Sequence, residues 1–365
     1  MTRDINYSCP DCDSSINSSD SGATRIAAVN RRDFLRTASV VGAAASIGSL
    51  PLWTPAPSWG AESVGADGKS AESLVKVLYD ALTPGQKEKV CYAWDFMDPK
   101  RNLLRTRVAN NWNVNEFQIN SDFYTDDQRH IVRSIFEHVI QPDWHKRIDQ
   151  QLQDDAGGFG EQQSVAIFGT PGSGKFEFVM TGRHMTMRCD GDSTENVAFG
   201  GPIFYGHAAD SFNEGPTHPG NVFWPQAVAA NKVYQMMDEK QREQALVKKS
   251  PNESAVGFQG SEGKLPGIAA SDLSSDQRDE LQKVLAVLVE PYRQSDRDEV
   301  AACLKAQGGL EKCSLAFYSD KDIGNDKVWD CWRLEGPSFV WYFRGSPHVH
   351  VWVNVASDPS VKLNA

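Results

Sequence analysis

Residues 347–355 read Pro-His-Val-His-Val-Trp-Val-Asn-Val. In an extended chain the side chains alternate between faces, so Val349, Val351, Val353 and Val355 share one face and His348, His350, Trp352 and Asn354 the other. The valines belong to a core. The opposite row has no hydrophobic reason to exist. His-x-His on one strand sets two imidazoles about 6–7 Å apart at the backbone, close enough to grip one metal ion. Two more histidines lie on strand-like stretches: His184 in Gly182-Arg183-His184-Met185, and His207 at the end of Gly200-Gly201-Pro202-Ile203-Phe204-Tyr205-Gly206-His207. If their strands neighbour the first, they complete three or four nitrogen donors, a set that suits zinc, copper or iron. With zinc, a bound water ionised near neutral pH attacks an ester, amide or related bond. With copper or iron, redox chemistry on a small organic molecule is the equal expectation. Arg188 and Arg344 are the candidates to steer an anionic group of the substrate.

A competing site has to be weighed. Residues 164–189, SVAIFGTPGSGKFEFVMTGRHMTMRC, contain Gly169, Gly174 and Lys175 at the spacing of a phosphate-binding loop. That loop requires Ser or Thr after the lysine to hold magnesium, and a helix to aim its amides at the phosphates. Phe176 occupies the first position, and the run that follows is aromatic and β-branched, as strands are. Thr170-Pro171-Gly172-Ser173-Gly174 therefore reads as a turn between a strand near 163–169 and one at 175–189, and no nucleotide is expected. A G-x-S-x-G nucleophile elbow is also lacking.

The remaining histidines carry less. His130, His138 and His145 are scattered on or near one helix, where packing or surface roles are the ordinary reading, and His218 sits among turn formers. Trp332, Phe339, Trp341, Tyr342 and Phe343 belong mainly to a core. An aromatic groove near Trp341 and Trp352 supports the alternative function, a non-catalytic exported ligand-binding protein.

Elements must hold these residues in place. Thr83…Gln86, Thr125…Gln128, Asp238…Gln241 and Ser274…Gln277 each have the spacing of a capping box, so each opens a helix. Ile131, Val132, Ile135, Phe136, Val139 and Ile140 recur at helical spacing after the second box, and Leu281, Val284, Leu285 and Leu288 after the fourth. Residues 222–247 give a further helical stretch. Strands are expected at 163–169, 175–189, 197–205, 328–334, 338–344 and 348–355. Helices do not alternate regularly with these strands, so the fold class is α+β: a mainly antiparallel sheet packed with several helices in one domain. The polar segment 248–273 is long enough to be a cover over a site or a mobile loop.

The leader determines where the chain goes. Arg31-Arg32-Asp33-Phe34-Leu35-Arg36-Thr37, followed by a weakly apolar run from Ala38 to Leu52, is a twin-arginine export signal. The run is shorter than the ~20 residues that span a bilayer, so no stable membrane span is expected after cleavage. These features divide the chain into a signal region with a polar leader at 1–62 and a domain at 63–365, exported folded to the periplasm or beyond. The twin-arginine machinery is then one partner and a small-molecule substrate or ligand the other. Residues 1–60 carry five basic and five acidic side chains, so the net charge of −11 lies in the exported part. An acidic domain is a poor match for nucleic acid or anionic membranes. Cys9 and Cys12 form half of a zinc-ligand set with no second half nearby. Of the five remaining cysteines, Cys303, Cys313 and Cys331 are close enough in sequence to supply one disulfide.

Gly182-Arg183-His184-Met185-Thr186, Gly201-Pro202-Ile203-Phe204, the Gln-Arg helix starts, and Gly336-Pro337 followed by His348-Val349-His350 together resemble a family of exported bacterial and fungal proteins, domain of unknown function 3500. The resemblance covers nearly all of the exported part. It implies paired histidines where this chain has Arg183-His184, so only His184 carries over. After the His-x-His it implies an Arg-Asp-Pro run, of which Asp358-Pro359 is kept and the arginine is not. It supports the histidine positions and supplies no reaction. From the residues, the expectation is a metal-dependent hydrolase or oxidoreductase with His184, His348 and His350 as ligands and His207 as fourth ligand or supporting partner.

Overall fold

The computed structural model describes residues 70–191, 193–208, 221–322 and 329–361. The twin-arginine motif, Cys9, Cys12 and His218 lie outside them.

The four capping boxes form as spelled. Thr83 opens α2 (Pro84–Val90), Thr125 opens α3 (Asp126–Val139), Asp238 opens α6 (Glu239–Ala245) and Ser274 opens α7 (Ser275–Val289), each with its Gln returning to the cap backbone. The glutamines do a second job. Gln86 and Gln128 exchange side-chain hydrogen bonds of 2.9 and 3.0 Å, and Gln241 and Gln277 exchange bonds of 2.9 and 2.8 Å. Two pairs of helix starts are thereby locked together. The other helices are α1 (Ala71–Ala81), α4 (His145–Ala156), α5 (Trp224–Met236) and α8 (Gln294–Ala306).

The strands are β1 (Cys91–Tyr92), β2 (Met97–Asp98), β3 (Asn102–Leu103), β4 (Ser164–Gly169), β5 (Phe176–Gly182), β6 (Met185–Cys189), β7 (Ile203–His207), β8 (Leu246–Val247), β9 (Ile268–Ala269), β10 (Ser314–Tyr318), β11 (Cys331–Gly336), β12 (Phe339–Arg344) and β13 (Val349–Val355). One sheet runs in the order β1-β4-β5-β6-β7-β13-β12-β11-β10-β8, with β9 also on β10. The α+β class holds. The expected mainly antiparallel sheet is corrected to a mixed one, because β1 and β8 add in parallel to β4 and β10.

That order reads alike from both ends. Residues 71–207 run α1-α2-β1, then α3-α4-β4-β5-β6-β7, and residues 224–355 run α5-α6-β8, then α7-α8-β10-β11-β12-β13. Registers repeat as well. Cys91 faces Ile167 where Leu246 faces Phe317, and Gly182 faces Met185 where Gly336 faces Phe339. The chain is therefore two like units joined through the antiparallel pair β7–β13.

The helices cover one face of the sheet, burying Val351, Val353, Phe339 and Trp341 with Ile135, Phe136, Leu281 and Leu285. Long segments cover the other face. Trp112 and Val114 lie over Ala166, Phe168 and Val179, and Val256 lies with Tyr318, Tyr342 and Trp352. The 248–273 segment is thus a cover: Arg333 and Asn354 side chains bond the carbonyls of Ala255 and Val256 at 2.7 and 2.9 Å.

Three expectations are revised. The stretch 175–189 is two strands, β5 and β6, turning at Arg183-His184. The 197–205 stretch begins as a 3-10 turn at Ala198–Gly200 and becomes a strand only from Ile203. Cys303, Cys313 and Cys331 are buried free thiols, with no disulfide among the described cysteines. The loop after Gly169 leads into a strand rather than a helix. Among the described residues no helix is long and apolar enough to cross a membrane.

Candidate metal centre

Three elements end at one place. β13 begins there, with His348 just before it and His350 within it, β7 ends there at His207, and the β5–β6 turn brings in His184. His184 has a left-handed backbone, φ 55°, and its N–H donates to the Asn110 carbonyl at 3.0 Å. A positive φ is uncommon outside glycine and strains the backbone, so the tertiary setting must hold it. His350 is flanked in register by Arg344 on β12 and by Gly206 on β7. A Cβ at Gly206 would lie 2.4 Å from the Val349 carbonyl oxygen, so the bare Cα is what lets β13 pack this closely beside the His184 ring, 3.4 Å from the same point.

The rings of His184, His348 and His350 converge, with ligand nitrogens all within 4.8 Å of one another and all three residues buried. The Nε2 atoms of His348 and His350 are 2.8 Å apart, and those of His350 and His184 3.2 Å. Around a tetrahedral ion with bonds of about 2.0–2.1 Å, ligand nitrogens sit about 3.3 Å apart.

Carboxylates orient two of the rings from behind. His184 Nδ1 is 2.8 Å from Asp155 Oδ2, and His350 Nδ1 is 2.8 Å from Glu253 Oε2. A carboxylate accepts, so each Nδ1 carries a hydrogen and each Nε2 offers a lone pair to the cluster. This is the carboxylate–histidine arrangement found behind metal ligands. One proton could bridge one nitrogen pair, whereas three converging Nε2 atoms suit a single cation. Burial, with the nearby His184 and Arg344, holds His348 down at about 2. Burial followed by Arg344 pushes His350 well below its ordinary range. Both imidazoles are therefore neutral near pH 7 and able to ligate.

The three histidines that converge were singled out from the sequence, and the carboxylates behind them were not. Asp155 lies in the last turn of α4, before Gly157 with its left-handed φ of 78°. An acid there opposes the helix dipole, which is a signal that it has another partner. Glu253 gave no local signal in its polar loop.

The other expected site residues fall differently. His207 is not one of the three converging ligands: its Nδ1 faces Asp155 Oδ2 at 3.4 Å, on the carboxylate that orients His184. Arg344 is at the cluster, its Nε 3.3 Å from Glu253 Oε2. Arg188 is held elsewhere by Glu177 at 2.7 Å and by the carbonyls of Pro202, Arg105 and Arg107. It braces the sheet against the 104–107 segment. Trp341 and Trp352 point to opposite faces, in the two different cores, so they do not form one groove. His145 bonds the Glu137 and Ile140 carbonyls at the end of α3, a packing role as expected.

A search of curated proteins and a search of solved structures returned no match. The family model described as protein of unknown function, DUF3500, matches residues 65–354. That span holds every histidine of the cluster and both carboxylates behind it, and the chain belongs to the DUF3500 family.

Proposed function

We propose that the chain is an exported metal-dependent enzyme whose ion is held by His184, His348 and His350. The observation that carries the reading is the convergence of three buried Nε2 atoms, two of them on rings whose Nδ1 faces a carboxylate. Zinc suits this set best, since three imidazoles, two of them with carboxylate partners, leave one position open. A zinc ion held there supplies a Lewis acid for a polar bond of a small-molecule substrate. Asp155 and Glu253 fix which nitrogen of His184 and His350 carries the proton. Arg344, beside His350, orients an anionic group of the substrate, and the buried setting of all three ligands excludes bulk water.

The test is elemental analysis of protein purified through its export route, compared with the His348→Ala/His350→Ala variant. We expect near-stoichiometric metal in the first and none in the second. Zinc would favour hydrolysis, and copper or iron would favour redox chemistry. A folded variant with full metal content would sink the proposal. Export rests on Arg31-Arg32 in the leader. Arg31→Lys/Arg32→Lys should trap the protein in the cytoplasm, and undiminished export on fractionation would remove the twin-arginine route.

A further inference from the structure

The three converging rings are buried, so an ion reaches them only when part of the surrounding chain moves. The two carboxylates behind them stand on unlike ground. Asp155 lies in the last turn of α4 with its side chain fully buried, and it holds Gln151 and the Ala208 N–H as well as His184. Glu253 stands on the cover segment, outside any helix or strand, between exposed Asn252 and Ser254, and its own side chain is 23% exposed.

Few contacts hold that stretch to the sheet. Val256 is the single buried residue of 248–267. The Asn354 amide donates to its carbonyl at 2.9 Å, and Arg333 donates to the Ala255 carbonyl at 2.7 Å. On either side, Ser250 bonds Asp320 at 3.1 Å and the Gly260 N–H bonds the Pro337 carbonyl at 2.9 Å. A segment with so little buried apolar surface opens locally long before the sheet beneath it does. At the cluster it is tied by one atom, Glu253 Oε2, which lies 2.8 Å from His350 Nδ1, 3.3 Å from Arg344 Nε and 3.4 Å from Trp352 Nε1.

That tie couples the strap to the ion. With Glu253 in place, His350 Nδ1 keeps the hydrogen and Nε2 the lone pair. With the strap lifted, Glu253 no longer fixes that tautomer, and a support of this kind is worth about 10–100-fold in metal affinity. Coupling is reciprocal, so an ion that favours the closed form holds the strap closed by the same factor.

We propose that residues 250–258 are a metal-linked latch over the histidine cluster. The strap lifts to pass the ion to or from His350 and closes on it through Glu253. This inference rests on the metal reading above.

The test is hydrogen exchange of the full chain, metal-free and loaded with zinc, with zinc content measured in both. Zinc should slow exchange of the 250–258 amides about 10–100-fold. Glu253→Ala at saturating zinc should keep its ion and lose that protection. A second measurement is the rate at which a chelator strips zinc from the loaded protein. Asn354→Ala removes the clip on the Val256 carbonyl and leaves the histidines and Glu253 unchanged, so zinc should leave about tenfold faster. Bound zinc with unchanged exchange at 250–258 would overturn the latch. So would protection that persists in zinc-loaded Glu253→Ala, or release from folded Asn354→Ala at the unmodified rate. If Asn354→Ala does not fold, exchange in the unmodified chain decides alone. A chain that takes up no zinc would instead remove the metal reading, and the latch with it.

Discussion

Asp155 gathers four donors on one carboxylate: His184 at 2.8 Å, Gln151 at 3.0 Å, the Ala208 N–H at 2.9 Å and, more loosely, His207 at 3.4 Å. Burial alone would raise its pKa, but the interactions with His184 and then His207 outweigh burial and hold it far below the usual carboxylate range. It is therefore a fixed negative charge behind His184. Asp155→Asn keeps the shape and removes the charge, and metal affinity should fall about 10–100-fold, measured by competition with a chelator. Unchanged affinity would mean that another group orients His184. The converging histidines were legible because a valine face on one side of a strand leaves His348 and His350 unexplained on the other. Asp155 was hard to see because its partners are 29 and 52 residues away. Glu253 was invisible for the same reason, 97 residues from His350.

At the scale of elements, the interlocked glutamines make two helix starts into one unit. Gln128 completes its own cap, donates to the Ala81 carbonyl at 2.8 Å and exchanges bonds with Gln86. Gln128→Ala should cost about 2 kcal/mol in urea unfolding, since it strips a cap bond and leaves buried polar groups unmatched. Gln86→Ala/Gln128→Ala should cost less than the sum of the single changes. Strict additivity would show that the two caps act independently. These helices were readable because a capping box is written within four residues. The β5–β6 turn was not, because Arg183-His184 lacks the glycine or asparagine that marks a tight turn, and the left-handed His184 is imposed by the surrounding chain. The strand Ser314–Tyr318 also escaped notice: it is buried on both faces and shows no alternation of apolar and polar residues.

At the scale of the molecule, the two units touch elsewhere than at the sheet. Glu72, in the first turn of α1, bonds Arg293, the residue before α8, at 2.7 Å. Burial pushes Glu72 up, but the Arg293 charge and hydrogen bond prevail and its pKa is lowered below 4.5. A carboxylate with a folded pKa below its unfolded one adds stability that is full above pH 4.5 and is lost as the pH falls below that value. Glu72→Gln should therefore flatten the acid limb of stability against pH, followed by thermal melts between pH 3 and 6 (about one unit either side of an ordinary carboxylate range). An unaltered limb would assign the acid sensitivity to other groups. The strand order that reads alike from both ends has a further consequence. β7–β13 is, within one chain, the kind of contact that elsewhere joins two subunits. The histidine cluster sits at one end of that seam, with His184 from one side and His348 and His350 from the other. Neither unit alone holds all three histidines, so the candidate donor set is a property of the joint.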